Sequence, residues 1–521
     1  MEKGRNVLIV AFLFFKMRFN KKHVDKSPNA DYDKQICVGI FINHVIIGKM
    51  SGKEEGMNIQ LSEHFTYKKL FRFCLPTIAM MLCTSIYGIV DGFFVSNYVG
   101  KTAFAAVNLI MPFLMILACF GFMIGTGGSA LVGKTLGEGK QEKANRYFTM
   151  MVYLTLILGV IMSVLGIIFM RPISYMLGAS EDMIEDCVLY GRIINGFNWA
   201  FMLQYLFQSF FVTAEKPQLG FIVTVAAGVT NMILDALFVA VFHWGIAGAA
   251  WASIIGRCVG GLIPLVYFLR PGPAKRADAE HAPGTGALGR IFYNDSLLRL
   301  TKTRLEARPL IKACLNGSSE LMTNISASFV GMLYNFQLLK YAGEDGVAAY
   351  GVVMYTQMIF AAVFLGYTVG TAPIVSYHYG AGHHDELKNM LKKSVAVMAA
   401  GGVAMLLLAW TLADPLAGMF VGYDPELREM TKGALTIYAF AFLLFGFNIF
   451  ASAFFTALNN GGVSAAISFL RTLVFQTLAV LLLPALLGLD GIWWAVTAAE
   501  GLALVVSTAF IVGKRKRYHY L

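Results

Sequence analysis

Three acids stand inside apolar runs where water is scarce: Asp91, Asp235 and Glu320. Asp91 follows Leu75, Ile78, Met80, Met81, Leu82, Ile86, Ile89 and Val90 and precedes Phe93, Phe94 and Val95. A carboxylate in such a run costs about 2.5–3.5 kcal/mol on insertion scales, so a chain that keeps one has a use or a partner for it. A partner is available far along the chain. Asn231 and Asp235 are one helical turn apart and share a face. Two carboxylates brought together in a low-dielectric interior do not both stay ionised cheaply. A shared proton, or a sodium ion held by oxygen ligands, would neutralise them. Asp91, Asn231 and Asp235 are therefore expected to form a cation or proton site. Glu320, with Asn324 one turn on, is a second polar spot suited to a cationic substrate. Asn198 and Gln204 belong to a polar face in an otherwise apolar segment and are also expected to meet substrate.

No nucleophile–base or metal constellation appears, so the chain is not expected to be an enzyme or to carry a cofactor. The seven cysteines are scattered singly, which points to neither a metal site nor a disulfide framework.

The elements that must position these residues are apolar helices. Of 521 residues, 57% are hydrophobic and only 14% charged, against roughly 25% charged in a soluble domain. The apolar residues fall in runs of about 20, enough to cross a bilayer, and about twelve such runs can be placed. The runs are continuous rather than alternating, which excludes a β-barrel. An all-α, multi-pass protein of the cell membrane follows, with the lipid bilayer as its surroundings.

The net charge of +11 does not indicate nucleic acid. Lys and Arg collect in alternate loops: Lys134 to Arg146, Lys216, Arg270 to Lys312, Lys388 to Lys393, and Lys514 to Arg517. The positive-inside rule places these loops and both termini in the cytoplasm. Residues 1–56 do not fit the rest and read as an extension upstream of the native start, at Met57, or as a disordered arm. Residues 57–270 and 310–513 each hold six spans. Residues 271–309, rich in Pro, Gly and basic residues, read as an exposed cytoplasmic linker. Residues 514–521 form a basic tail. His378, His383 and His384 read as a solvated turn.

The halves repeat. Gly100 recurs as Gly343, Ala105-Ala106 as Ala348-Ala349, Met111 as Met354, Gly137-x-Gly139 as Gly380-x-Gly382 and Trp251-Ala252 as Trp494-Ala495. The offset is 243 residues at each pair, the signature of a duplication. Six spans per half give parallel repeats about an axis along the membrane normal. The charges break this symmetry. Asp91 maps to Tyr334, Asn231 to Val474, Asp235 to Leu478, and Arg257 to Glu500.

Taken together, Val90-Asp91-Gly92-Phe93-Phe94-Val95, Ala105 to Pro112, Gly137-x-Gly139, Asn231-x-x-x-Asp235 and Gly380-Ala381-Gly382 resemble the multidrug and toxic compound extrusion (MATE) family over residues 60–515. The resemblance implies a V-shaped exporter of two pseudo-symmetric six-helix lobes, driven by a proton or sodium gradient. It also implies that a hydroxyl from segment six, Ser253 here, joins Asp91, Asn231 and Asp235. Relatives that use a second acidic pair take one acid from segment ten. This sequence has none there.

The function expected is antiport of lipophilic or cationic small molecules against protons or sodium by a monomer. The alternative, a flippase for a lipid-linked oligosaccharide precursor, needs cationic groups for pyrophosphate. Intramembrane cations are few: Arg192, Arg257 and Arg471.

Overall fold

The computed structural model describes residues 59–270, 294, 296 and 298–521. The expectations for residues 1–56 lie outside them. Among the described residues the secondary structure is helical. The N-terminal half holds α1 (Tyr67–Phe94), α2 (Lys101–Gly137), α3 (Gln141–Met176), α4 (Ile184–Gly196), α5 (Asn198–Thr213), α6 (Pro217–Asp235) and α7 (Gly245–Leu269). The C-terminal half holds α8 (Ala307–Ala381), α9 (His384–Val421), α10 (Pro425–Tyr438), α11 (Phe442–Ala457), α12 (Gly461–Phe469), α13 (Gln476–Leu487) and α14 (Leu489–Tyr518).

Ten stretches of the described residues are long and apolar enough to cross a membrane. Two further passes complete the expected twelve. The 75-residue α8 leaves helical geometry at Gly343 (φ 63°, ψ −150°). It doubles back there, since the rings of Tyr334 and Tyr350 stack with centroids 4.9 Å apart. Helices α4 and α5 make one pass interrupted at Phe197.

The duplication is written in the backbone. Left-handed glycines recur at the repeat offset: Gly100 and Gly343, Gly139 and Gly382, Gly245 and Gly488. Each ends or turns a helix in a conformation that a Cβ disfavours. A few helix starts are capped by a side chain. Thr66 accepts from the Lys69 amide at α1, and Asp424, ahead of Pro425, accepts from Glu426 and Leu427 at α10.

Small residues set how closely the halves approach. A Cβ on Gly127 would lie 2.0 Å from the Ala313 carbonyl oxygen, and one on Gly317 would lie 1.9 Å from that of Met123. Gly137 and Gly380 meet Tyr377 and Lys134 in the same way. Helices α2 and α8 therefore touch backbone to backbone. This seam runs toward the end of the bundle where Lys134 and Lys312 face each other, the basic end.

Helix α1 belongs to both halves. Its first part (Leu70, Phe73, Cys74, Met80, Met81) lies in the same apolar core as α8 to α14. Ile78 presses on Gly366, where a Cβ would be 2.4 Å away. Its second part lies on α6, with the Tyr87 ring over Gly228. The segment just before α1 is clasped from both sides. The Leu61 amide donates to Glu215 Oε1 (2.8 Å), and the Phe65 amide donates to Glu386 Oε1 (3.0 Å). His64 Nδ1 pairs with Glu386 Oε2 at 2.6 Å. Asn389 and Lys393 both donate to the Phe65 carbonyl.

Two stretches differ from the reading of the sequence. The described part of the expected exposed linker is docked in places: Leu298 is fully buried, and the amides of Arg299 and Thr301 donate to Asn145 and Thr149 of α3. Local polarity could not reveal this, because the acceptors are about 150 residues away. His378 is not in a solvated turn either. It is 2% exposed, with Nδ1 3.2 Å from His383 Nδ1.

Candidate functional site

Asp91 occupies the last turn of α1, Asn231 and Asp235 the last turns of α6, and Ser253 the middle of α7. Packing of α1 on α6 and of α6 on α7 brings all four together. A glycine makes the second contact possible: a Cβ on Gly256 would lie 2.9 Å from the Asn231 Cβ. Ser253 Oγ donates to Asp91 Oδ1 at 3.2 Å, and Asn231 Nδ2 donates to Ser253 Oγ at 3.5 Å. The Asp91 and Asp235 carboxyl groups lie within electrostatic reach of each other. All four side chains are buried.

The site is under-satisfied. Both oxygens of Asp235 and Oδ1 of Asn231 are buried with no hydrogen-bond partner among the described residues. An unpaired buried polar group costs about 1–3 kcal/mol, more when charged. With Asp91 and Ser253, these atoms give a set of hard oxygen donors from three helices. That set suits a sodium ion or a shared proton and offers nothing to a soft metal.

Arg257 also belongs here, although its role was not foreseen. It interacts electrostatically with Asp91 and lies 4.0 Å from the Phe201 ring centroid, with Nη1 buried and unpartnered. The available signal was its spacing, four residues beyond Ser253 on the same helix. Tyr190 is a second addition, its hydroxyl buried and unpartnered beside Asp91. Two acids and one guanidinium leave the cluster one negative charge in excess.

The backbone changes at both acids. Helix α1 passes into a π turn over Val95–Val99, and α6 into another over Ala236–Val241. Single π turns widen a helix locally and recur at functional sites.

The MatE family model matches residues 76–237 and 321–481, more than half of the chain and once in each half. The chain belongs to the MatE family. Its relatives include a protein of Staphylococcus haemolyticus described as multidrug export protein MepA. That protein is 22% identical over 459 residues, covering 87% of this chain and 95% of the relative. The protein of the same description in Staphylococcus saprophyticus is 23% identical over 451 residues, covering 87% and 94%. Among solved structures, an outward-facing multidrug resistance MATE transporter superimposes with a TM-score of 0.80, 20% identity and coverage of 90% and 100%. A Pyrococcus furiosus transporter, described as having a binding pocket of reverse polarity, gives 0.77, 21%, and coverage of 89% and 98%. The all-α fold of two pseudo-symmetric lobes is that of the MATE transporter structure.

The remaining expected positions of this MatE chain fall elsewhere. Glu320 lies on α8, half-buried, within electrostatic reach of Arg471 from its own half and of Cys119 on α2 from the other. Asn324 turns back on its own helix, its amide donating to the Glu320 carbonyl at 2.9 Å. Asn198 and Gln204 are not brought to either place. Asn198 Nδ2 meets Met202 Sδ (3.6 Å), and Gln204 packs against Gly260 of α7, both inside the N-terminal lobe.

Proposed function

We propose that this chain is a secondary active multidrug exporter. Its N-terminal lobe binds the coupling cation at Asp91, Asn231, Asp235 and Ser253, and Glu320 at the seam attracts a lipophilic or cationic substrate. The observation that carries this reading is the convergence of two buried acids: Asp91, at the end of the helix shared by both lobes, and Asp235 of α6, whose two oxygens have no hydrogen-bond partner among the described residues. The names of the MepA relatives agree with it.

The chemistry follows from charge. With the site empty, Asp91 and Asp235 repel, and only Arg257 opposes them. A proton or a sodium ion removes the excess negative charge and lets α1 close on α6 and α7. Loss of the ion reverses this. Because α1 continues into the core of the other lobe, its movement is felt at the seam. Alternating access needs only two such packings, each favoured by one ligand. In the orientation set by the positive-inside rule, the basic end and both termini are cytoplasmic. The protein acts as a monomer in the cell membrane.

The alternative of a lipid-precursor flippase is disfavoured by the state of the cations. Arg471 is engaged by Glu500, and Arg257 lies beside Asp91. A pyrophosphate would have to compete with both acids.

The test is dye efflux from proteoliposomes with sodium and proton gradients imposed separately. One gradient should drive efflux and the other should not. Equal efflux with neither gradient would remove the antiporter reading.

A further inference from the structure

The C-terminal lobe holds an ion pair that the exporter reading does not use. Arg471 lies on a π turn, Leu470–Phe475, between α12 and α13. Its Nε donates to both carboxylate oxygens of Glu500, at 2.8 and 3.0 Å. Glu500 is fully buried on α14. Asn448 of α11 donates to Glu500 Oε2 at 2.7 Å and to its carbonyl oxygen at 2.9 Å, and Ser507 donates to Asn448 Oδ1 at 2.9 Å. Two side chains, Arg471 and Asn448, thus hold one carboxylate, and Ser507 steadies the second of them. Phe445 flanks the guanidinium at 4.8 Å.

By the repeat offset, Glu500 stands where the N-terminal lobe has Arg257, and Arg471 where it has Gly228. The second lobe has reversed the sign at one position and added a cation at the other. Glu320 lies within electrostatic reach of the same Arg471. Two acids and one guanidinium leave one negative charge, as in the first lobe. Here, however, the guanidinium is bound to the deeper acid, so the unspent charge resides on Glu320 at the seam. In low dielectric, the ligand that restores neutrality is favoured over one that overshoots or falls short.

We infer that the Arg471–Glu500 pair is the specificity determinant for substrate charge, restricting the C-terminal lobe to ligands with one positive charge. The inference rests on the exporter reading, with Glu320 as the substrate's counter-ion. Removing the guanidinium leaves two acids and favours a dication. Removing Glu500 frees Arg471 to neutralise Glu320 and ends the preference for cations. Removing both returns the lobe to one negative charge.

The experiment uses the full-length transporter, purified and in proteoliposomes, with ethidium as the monocation and 4′,6-diamidino-2-phenylindole as the dication. Binding is read by fluorescence polarisation and transport by gradient-driven efflux. Arg471→Gln should raise the dication-to-monocation ratio about tenfold, a change of ~1.4 kcal/mol. Glu500→Gln should weaken both dyes about tenfold. The double variant should return to within about twofold of the wild-type ratio. An unchanged ratio in Arg471→Gln would overturn the inference. So would a double variant whose dication-to-monocation ratio stays at that of Arg471→Gln; a merely structural ion pair would move stability in the single variants and recover it in the double one, with the ratio of the two dyes unmoved throughout. The failures are separable. Wild-type protein that moves neither dye under any gradient removes the exporter reading, whereas a wild type that moves both with an unaltered ratio in the variants removes only the charge rule. Dye binding reports on the rule in either case.

Discussion

Ser253 donates its hydroxyl proton to Asp91 across 162 residues of chain, at 3.2 Å. The bond joins the last turn of α1 to the middle of α7, and Asn231 extends it to α6. Three helices therefore meet at one acid.

Replacing Asp91 with Asn keeps the volume and removes the charge. Gradient-coupled efflux should be lost, while expression and thermal stability stay near wild type. Near-normal gradient-driven transport by this variant would refute the assignment.

Ser253→Ala removes one oxygen from the cluster and leaves the Asn231 amide without its acceptor. The hydrogen bond is worth about 1 kcal/mol, so affinity for the coupling ion should fall about fivefold while substrate binding is unchanged. Ion titration of purified protein, followed by tryptophan fluorescence, reads the shift. Equal weakening of ion and substrate would point to a general loss of packing.

Glu320→Gln should reduce binding of cationic dyes more than that of a neutral dye of similar size. Polarisation titrations with both dyes decide it. An equal loss for the two would make Glu320 structural.

Gly317→Ala should disturb the seam, since the new Cβ would sit 1.9 Å from the Met123 carbonyl oxygen. Overpacking of this kind costs about 1–3 kcal/mol. A lower Tm is expected, with faster cysteine cross-linker access between α2 and α8. A Tm equal to wild type would mean that the helices can separate at no cost.

The twelve passes and the duplication were legible because their causes are local: runs of apolar residues, and glycines in turns that recur at one offset. Asp91, Asn231 and Asp235 were legible for a different reason. Charge in an apolar run is costly, and helical spacing tells which polar residues share a face. Ser253 came from family resemblance, since one hydroxyl among small residues has no signal of its own. Arg257 escaped because its partner lies on α1, 166 residues away. Asn198 and Gln204 could be placed no further than away from lipid, because a polar face only shows that a side chain avoids it. A cleft and a lobe interior satisfy that equally. For Gln204 the lobe interior is set by Gly260 of α7, whose missing side chain leaves room for it.

Helix α1 begins under the clasp of Glu386 and Asn389 and carries Asp91 in its last turn, so one continuous helix touches both places. Thermodynamic reciprocity then binds them: if ion occupancy at Asp91 changes the strength of the clasp, the clasp changes ion affinity by the same factor. A substitution such as Glu386→Gln, 24 residues of helix (about 36 Å) from the acid, should shift the ion titration curve without touching a ligand. A shifted curve would make the distal clasp a dial for gradient sensitivity, one that selection could turn without altering either binding site.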